Sequence, residues 1–143
     1  GRSPGWTKGK LLQYACDLYQ YRTISLEGIS VMIDGFYIAY VSGLKGNGII
    51  LLILKDNLVV GTDPSGVRFD GTYSFIQEKE VQFNIQISSP PDATLVQGVN
   101  AGPTGLIYHV SFVSPENLES RDYFEIKTSL GPVNVRFKKL RGM

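Results

Sequence analysis

The sequence predicts a mainly β, antiparallel domain that closes into a small barrel or a sandwich. Three observations predict it. The 143 residues include sixteen glycines and seven prolines scattered along the chain, which indicates many turns. Several segments alternate apolar and polar residues with the period of a strand. About eight predicted strands follow one another with no helical pattern between them, which is typical of barrels and sandwiches.

The clearest strand pattern lies in residues 81–88. Apolar residues occupy every second position from Val81 to Ile87, and polar residues occupy the positions between them. This alternation predicts an antiparallel strand with one buried and one solvated face. Weaker versions of the same pattern predict further strands in residues 73–75, 108–112, 124–127 and 133–138, and short runs that are apolar at every position predict strands in residues 36–41 and 58–60.

Residues 49–54 are apolar at every position, which predicts a strand that is buried on both faces. One face would line the barrel interior, and the other would lie in an oligomer interface. We therefore expect a homodimer interface in this strand, and the pattern leaves open which face belongs to it. The candidate interface residues are Ile50, Leu51, Leu52 and Ile53.

Turn signals separate the predicted strands. Asp56-Asn57 is a turn dipeptide, and the glycines and Pro103 of residues 97–105 indicate a long loop. Asp34-Gly35 recurs as Asp70-Gly71, and both are followed by an aromatic residue within two positions. We interpret both copies as tight turns that lead into strands starting at the same rim of one barrel.

Residues 1–31 form a leader whose pattern differs from the rest of the chain. An amphipathic stripe predicts a short helix, and it consists of Leu11, Tyr14, Ala15, Leu18 and Tyr19. Three interpretations stay open: a docking helix, a helix that packs on the barrel, or a leader that is not part of the natural product. Because Met32 precedes the first patterned strand, we assign the barrel domain to residues 32–143.

The search for catalytic and metal-binding groups predicts a protein that is not an enzyme. His109 is the one histidine and lies on the polar side of its strand, and Cys16 is the one cysteine. We expect no catalytic residues, no metal and no cofactor. The net charge of +1 does not indicate a nucleic-acid surface, and no apolar run reaches the length of a membrane span. A cytoplasmic location is the default expectation.

Four segments between Asp34 and Tyr73 and one C-terminal strand form an ordered set of motifs. They are residues 34–37 (DGFY), 46–52 (GNGIILL), 56–63 (DNLVVGTD), 69–73 (FDGTY) and 131–140 (GPVNVRFKKL). In this order the first four resemble the GrlR-like family of negative regulators of type III secretion genes, and the C-terminal strand is similar to that family more loosely.

The resemblance implies a lipocalin-like, eight-stranded barrel that forms a homodimer and sequesters a protein partner, such as a helix-turn-helix activator of bacterial transcription. It also implies a partner-binding surface at an acidic run, which corresponds here to Gln77, Glu78, Lys79 and Glu80. The residues alone favour a solvated hairpin tip at these positions. The alternative function is that of a carrier, in which the barrel lumen holds a small hydrophobic ligand.

Overall fold

A computed structural model describes residues 33–143, and they form one antiparallel sheet of eight strands. The predicted mainly β class is confirmed, whereas the predicted helix of the leader lies outside the described residues. The strands are β1 (Gly35–Ser42), β2 (Asn47–Lys55), β3 (Leu58–Thr62), β4 (Arg68–Gln77), β5 (Glu80–Ser89), β6 (Leu106–Pro115), β7 (Phe124–Thr128) and β8 (Gly131–Gly142).

The sheet curls into a nearly closed barrel. Its strand order is β6-β5-β4-β3-β2-β1-β8-β7, so β6 and β7 are the two edge strands, and no ladder of hydrogen bonds joins them among the described residues. Side chains from both edge strands nevertheless line the same central cavity. Alternate residues of every strand point inward and form one core, as the period of two predicts. Among residues 33–143, no helix is long and apolar enough to span a membrane.

The two ends of the barrel differ. One end carries the β2–β3, β4–β5 and β6–β7 connections and is filled by side chains that are almost completely buried. We call it the closed end, and it contains Leu54, Val59, Tyr73, Val81, Ser114 and Leu118. The other end carries the β1–β2, β3–β4 and β7–β8 connections and the long loop of residues 90–105, and we call it the mouth.

The predicted turns at the closed end are confirmed. Asp56 and Asn57 have φ values of 51° and 69°, so this two-residue connection uses the left-handed conformation at both positions, as a tight hairpin requires. Asp and Asn tolerate that conformation better than other side chains. Lys79, with a φ of 64°, similarly forms a tight tip between β4 and β5. The predicted hairpin tip therefore exists.

The turn interpretation of Asp70-Gly71 is wrong. Both residues lie inside β4, where they pair with Gln86 and Ile85 of β5. A Cβ at Gly71 would lie 2.7 Å from the Cα of Ile85, so this glycine permits a close approach of two strands. Because β1 and β4 run in opposite directions along the barrel, they also start at opposite rims and not at the same one.

Candidate ligand-binding site

The barrel encloses a cavity of about 420 Å³. All eight strands contribute inward-facing side chains to its wall, so it is the lumen of the barrel and not a cleft on its surface. Its volume lies within the range of ~300–1,000 Å³ that is typical of small-molecule sites. Since the barrel is not filled by its own side chains, the lumen is the principal candidate site of the described residues.

The wall of the lumen is almost entirely aliphatic and aromatic. The rings of Phe83 and Phe112 stack with their centroids 4.9 Å apart, which gives the wall a flat aromatic section. Other wall residues come from each side of the barrel and include Ala39, Ile50, Leu52, Val59, Phe69, Ile85, Val110, Ile126, Val135 and Phe137. Such a wall favours an apolar ligand, because it offers dispersion contacts and few hydrogen bonds.

Half of the predicted dimer interface lies in the lumen. Ile50 and Leu52 face inward and line the cavity, so they lie on the lumen side of β2. Leu51 and Ile53 face outward, and 43% of the Leu51 side chain is exposed, against 6% for Leu52. One face of β2 lines the cavity, and the other face, which was predicted to be buried in an interface, is the outer surface, where Ile49 is 50% exposed.

A buried carboxylate organises the closed end of the lumen. Oδ1 of Asp34 accepts a hydrogen bond from the Tyr73 hydroxyl, and Oδ2 accepts one from the backbone N–H of Asp56 at 3.2 Å. Leu118, from the β6–β7 connection, covers the base of the cavity. The cavity is therefore closed at this end.

The loop of residues 90–105, which we call the mouth loop, folds over the other end. The Val96 carbonyl accepts a hydrogen bond from Lys45 N at 3.2 Å, which ties this loop to the β1–β2 turn. The backbone at Gly43 lies so close to the mouth loop that a Cβ added at Gly43 would lie 2.6 Å from the Val96 carbonyl carbon. Leu95 and Gln97 also line the lumen. Residues 97–105 are confirmed as loop, but their position over the lumen could not be inferred from the sequence.

Gln97 connects the two edge strands at the mouth. Its Nε2 donates hydrogen bonds to the hydroxyl oxygens of Tyr108 on β6 and Thr128 on β7, both at 3.3 Å. The side chain is 8% exposed and bridges the gap in the sheet at a point where no ladder joins the strands. These three residues, which we call the polar cluster, form a polar section of a mainly apolar wall, which also contains Asn47, Asp63, Ser65 and Thr94.

The polar cluster is uncharged. Burial raises the pKa of the Tyr108 hydroxyl above its usual value, and the hydrogen bond from Gln97 opposes that rise only in part. Among the described residues, Asp63 is the one charged side chain that lines the cavity. Its Oδ1 accepts hydrogen bonds from the N–H groups of Ser65 and Val67, at 2.9 and 3.0 Å, and so stabilises the β3–β4 turn.

An apolar surface covers the outside of β1, β2 and β3. Paired residues of neighbouring strands share a face, so their outward side chains form continuous rows across the sheet. We call this surface the outer apolar face, and it consists of Phe36, Ile38, Tyr40, Ile49, Leu51, Ile53, Leu58 and Val60. A contiguous patch of this kind is typical of an interaction surface, whereas single exposed apolar residues are not.

The hairpin tip lies apart from both the lumen and the outer apolar face. Gln77, Glu78 and Lys79 are exposed at the closed end between β4 and β5, and Glu80 is half-buried. Glu116 N donates a hydrogen bond of 3.0 Å to the Lys79 carbonyl, which fixes the tip against the β6–β7 connection.

Within residues 33–143, no group of three or more His, Cys, Asp or Glu side chains is placed to hold a metal ion. His109 is exposed on the outside of β6, as its place in the alternation predicted. No family model, curated protein or solved structure matches the chain, so the resemblance to the GrlR-like family stays a prediction.

Proposed function

We propose that this protein binds a small apolar molecule in the lumen of its barrel and holds it without catalysing a reaction. The observation that supports the proposal is the cavity of about 420 Å³, whose wall takes apolar side chains from all eight strands. A closed base and a loop over the mouth are features of a lipocalin-like carrier. This function was the alternative in the sequence-based prediction, and the cavity now favours it.

The physical argument starts from the cost of an empty apolar cavity. Side chains around a void lack contact atoms on one side, and their dispersion energy is lost. Water gains little in such a space, because a buried water needs two to four polar partners and this wall offers few. An apolar ligand restores the dispersion contacts, and its own apolar surface is removed from water. Its binding is therefore favourable without an ion pair to the protein.

Displacement of a neutral fluorescent dye, N-phenyl-1-naphthylamine, tests the proposal. The dye should fluoresce strongly with the protein, and long-chain apolar compounds should displace it. Val110→Trp places a large ring in the lumen and should abolish dye binding. Ser111→Trp, one position along the same strand and on the outside, is the matched control and should bind the dye like the parent. Equal dye binding by both variants, or none by the parent, would overturn the proposal.

A second candidate function is protein binding, and the outer apolar face favours it. We propose that the outer apolar face binds a second copy of the chain. One cross-strand row consists of three apolar side chains, Phe36, Ile53 and Val60, between Arg141 on β8 and Asp70 on β4. A two-fold axis parallel to the strands and above Ile53 would place each arginine opposite the aspartate of the other copy. The row is therefore self-complementary, as an isologous dimer requires.

The oligomeric state of outward-facing variants tests this dimer. Leu51→Asp should give a folded monomer in analytical ultracentrifugation, because the charge lies in the centre of the outer apolar face. Val113→Asp is the matched control, since Val113 is similarly exposed on β6, away from that face, and this variant should stay dimeric. A parent protein that is monomeric at micromolar concentration would contradict the dimer.

The regulatory role stays a further proposal, in which the dimer sequesters a helix-turn-helix activator in the bacterial cytoplasm. Its support is the order of the family-like motifs together with the exposed hairpin tip of Gln77, Glu78, Lys79 and Glu80. Affinity purification from the source cell should recover a DNA-binding activator with the parent protein. The double variant Glu78→Lys, Glu80→Lys should lose it, whereas Glu125→Lys on the exposed side of β7 should retain it.

A further inference from the structure

The hydrogen bonds of Thr128 determine which groups of the polar cluster donate and which accept. Its hydroxyl has one proton, which it donates to the Gly131 carbonyl at 2.6 Å. The same oxygen accepts a hydrogen bond from Leu130 N at 3.2 Å. Thr128 can therefore only accept from Gln97, so the Gln97 amide must direct its NH₂ group toward Thr128 and Tyr108. This network fixes the orientation of the amide.

The fixed amide leaves one donor and one acceptor unused at the mouth of the lumen. The Tyr108 oxygen accepts from Gln97, and within residues 33–143 its own proton has no protein acceptor. Oε1 of Gln97 likewise receives no hydrogen bond from the described residues. Oε1 of Gln97 is not sealed from its surroundings, because the one buried side-chain polar atom without a partner in this part of the chain is Ser89 Oγ. Both residues line the cavity.

An alcohol hydroxyl complements this pair. Its oxygen accepts a hydrogen bond from the Tyr108 hydroxyl, and its proton is donated to Oε1 of Gln97. A carboxylate would accept from Tyr108 but would also face the Gln97 oxygen with a negative charge. Among the described residues, no lysine, arginine or histidine lines the cavity to compensate that charge. A pure hydrocarbon would leave the Tyr108 proton without an acceptor and Oε1 of Gln97 without a donor.

We propose that the lumen selects apolar molecules that carry a single neutral hydroxyl group, with the hydroxyl at the mouth between Gln97 and Tyr108 and the apolar body directed toward Leu118. This inference rests on the proposed function, since it names the class of ligand for the same cavity. It assigns selectivity to two residues that no catalytic or metal-binding pattern in the sequence singled out.

Competition between compounds that share a twelve-carbon chain tests the selectivity. Dodecan-1-ol, dodecanoate and dodecyl methyl ether are compared as competitors of N-phenyl-1-naphthylamine on the parent protein at neutral pH, where the acid is ionised. The alcohol should bind about tenfold more tightly than the carboxylate, which corresponds to one hydrogen bond and the cost of an uncompensated charge. The ether can accept from Tyr108 but has nothing to donate, so its affinity should lie between the other two.

Two variants connect the selectivity to the polar cluster. Tyr108→Phe keeps the shape of the side chain and removes its donor, and Gln97→Leu removes the acceptor. Each should reduce the advantage of the alcohol over the ether or the carboxylate to less than about threefold. Ser111→Ala, outside the barrel, should leave the order of affinities unchanged.

The outcomes separate the two proposals. If the dye and all three compounds fail to bind, the lumen is not a ligand site and the proposed function itself is wrong. If the dye binds but dodecanoate equals or exceeds the alcohol, the hydroxyl selectivity is wrong and the carrier function stands. Unchanged selectivity in Tyr108→Phe would also overturn the assignment, and this isosteric variant keeps the test decisive if Gln97→Leu does not fold.

Discussion

The Tyr73 hydroxyl donates a hydrogen bond to the buried carboxylate of Asp34, which lies 39 positions earlier in the chain. Asp34 precedes β1 and Tyr73 lies in β4, so this contact joins the first strand to the opposite part of the sheet. The second carboxylate oxygen accepts from Asp56 N in the β2–β3 turn. One side chain therefore connects three elements at the closed end of the barrel.

We expect Tyr73→Phe to lower the free energy of unfolding by ~1.5–3 kcal/mol, because it removes a hydrogen bond to a buried charged group. A double-mutant cycle with Asp34→Asn, measured by urea denaturation, should show a favourable coupling energy between the two side chains. Tyr123→Phe is the matched control, since 63% of Tyr123 is exposed. A coupling energy near zero would show that the contact does not stabilise the closed end.

Tyr37 should make the fold sensitive to alkaline pH. Its hydroxyl donates a hydrogen bond of 2.6 Å to the Ile33 carbonyl. Burial, and then the negative charges of Glu119 and Asp34, raise the pKa of Tyr37 well above its usual value. The folded state therefore keeps a proton that the unfolded state loses above a pH of about 10, so stability is complete below that pH and falls as the pH rises further.

Urea denaturation of the parent and of Tyr37→Phe over a series of alkaline pH values measures this contribution. The parent should lose stability above a pH of about 10 more steeply than the variant, which has no proton to release at this position. Tyr123→Phe should retain the slope of the parent. Equal slopes for the parent and Tyr37→Phe would contradict the assignment of the pH dependence to Tyr37.

The strands of the barrel could be anticipated from local patterns, but the two faces of β2 could not. In residues 81–88 each inward apolar residue has a polar neighbour, so the amino-acid sequence alone distinguishes the two faces. In β2 both faces are apolar, because one lines the lumen and the other belongs to the outer apolar face. The alternation that would distinguish Leu51 from Leu52 is absent, so only the pairing register identifies the lumen side.

The polar cluster depends on contacts that no local pattern records. Gln97 follows Val96 in a loop with no strand period, and its partners Tyr108 and Thr128 lie on two strands that the sheet does not join. The only local signal is a glutamine between apolar residues and Gly98, which fits an exposed loop equally well. Its position over the lumen comes from the close contact between Gly43 and Val96, a tertiary effect.

A buried hydroxyl near the mouth offers a route to higher stability. Ser89 Oγ is buried and has no hydrogen-bond partner among the described residues. Removing an unpaired buried polar atom eliminates its desolvation cost, so Ser89→Ala should raise the free energy of unfolding by ~1 kcal/mol. Ser88→Ala, at the neighbouring and less buried position, should change it little. Thermal denaturation measures both, and a loss of stability in Ser89→Ala would indicate a water or a ligand bound to this hydroxyl.

The barrel of residues 33–143 contains a continuous core to which all eight strands contribute. We therefore expect a chain that begins at Met32 to fold and to unfold at the same temperature as the full chain. Calorimetry of the two chains measures the difference. A melting temperature lower by more than a few degrees would show that the apolar stripe from Leu11 to Tyr19 contributes to the core, and would exclude a dispensable leader.

Gly71 allows β4 and β5 to approach each other on the inner side of the barrel. A Cβ added at this position would overlap the Asn84 carbonyl oxygen and would lie 2.7 Å from the Cα of Ile85. Both neighbouring atoms belong to the backbone of β5, so a change of side-chain rotamer cannot move them aside. Gly71→Ala should therefore lower the free energy of unfolding by ~1–3 kcal/mol, the usual cost of overpacking, although alanine favours an extended strand more than glycine does. Thr72→Ala, at the next and outward-facing position, should stay within ~0.5 kcal/mol of the parent. If urea denaturation finds Gly71→Ala as stable as Thr72→Ala, β5 moves away at little cost and the close approach at Gly71 is not needed for the barrel to curl.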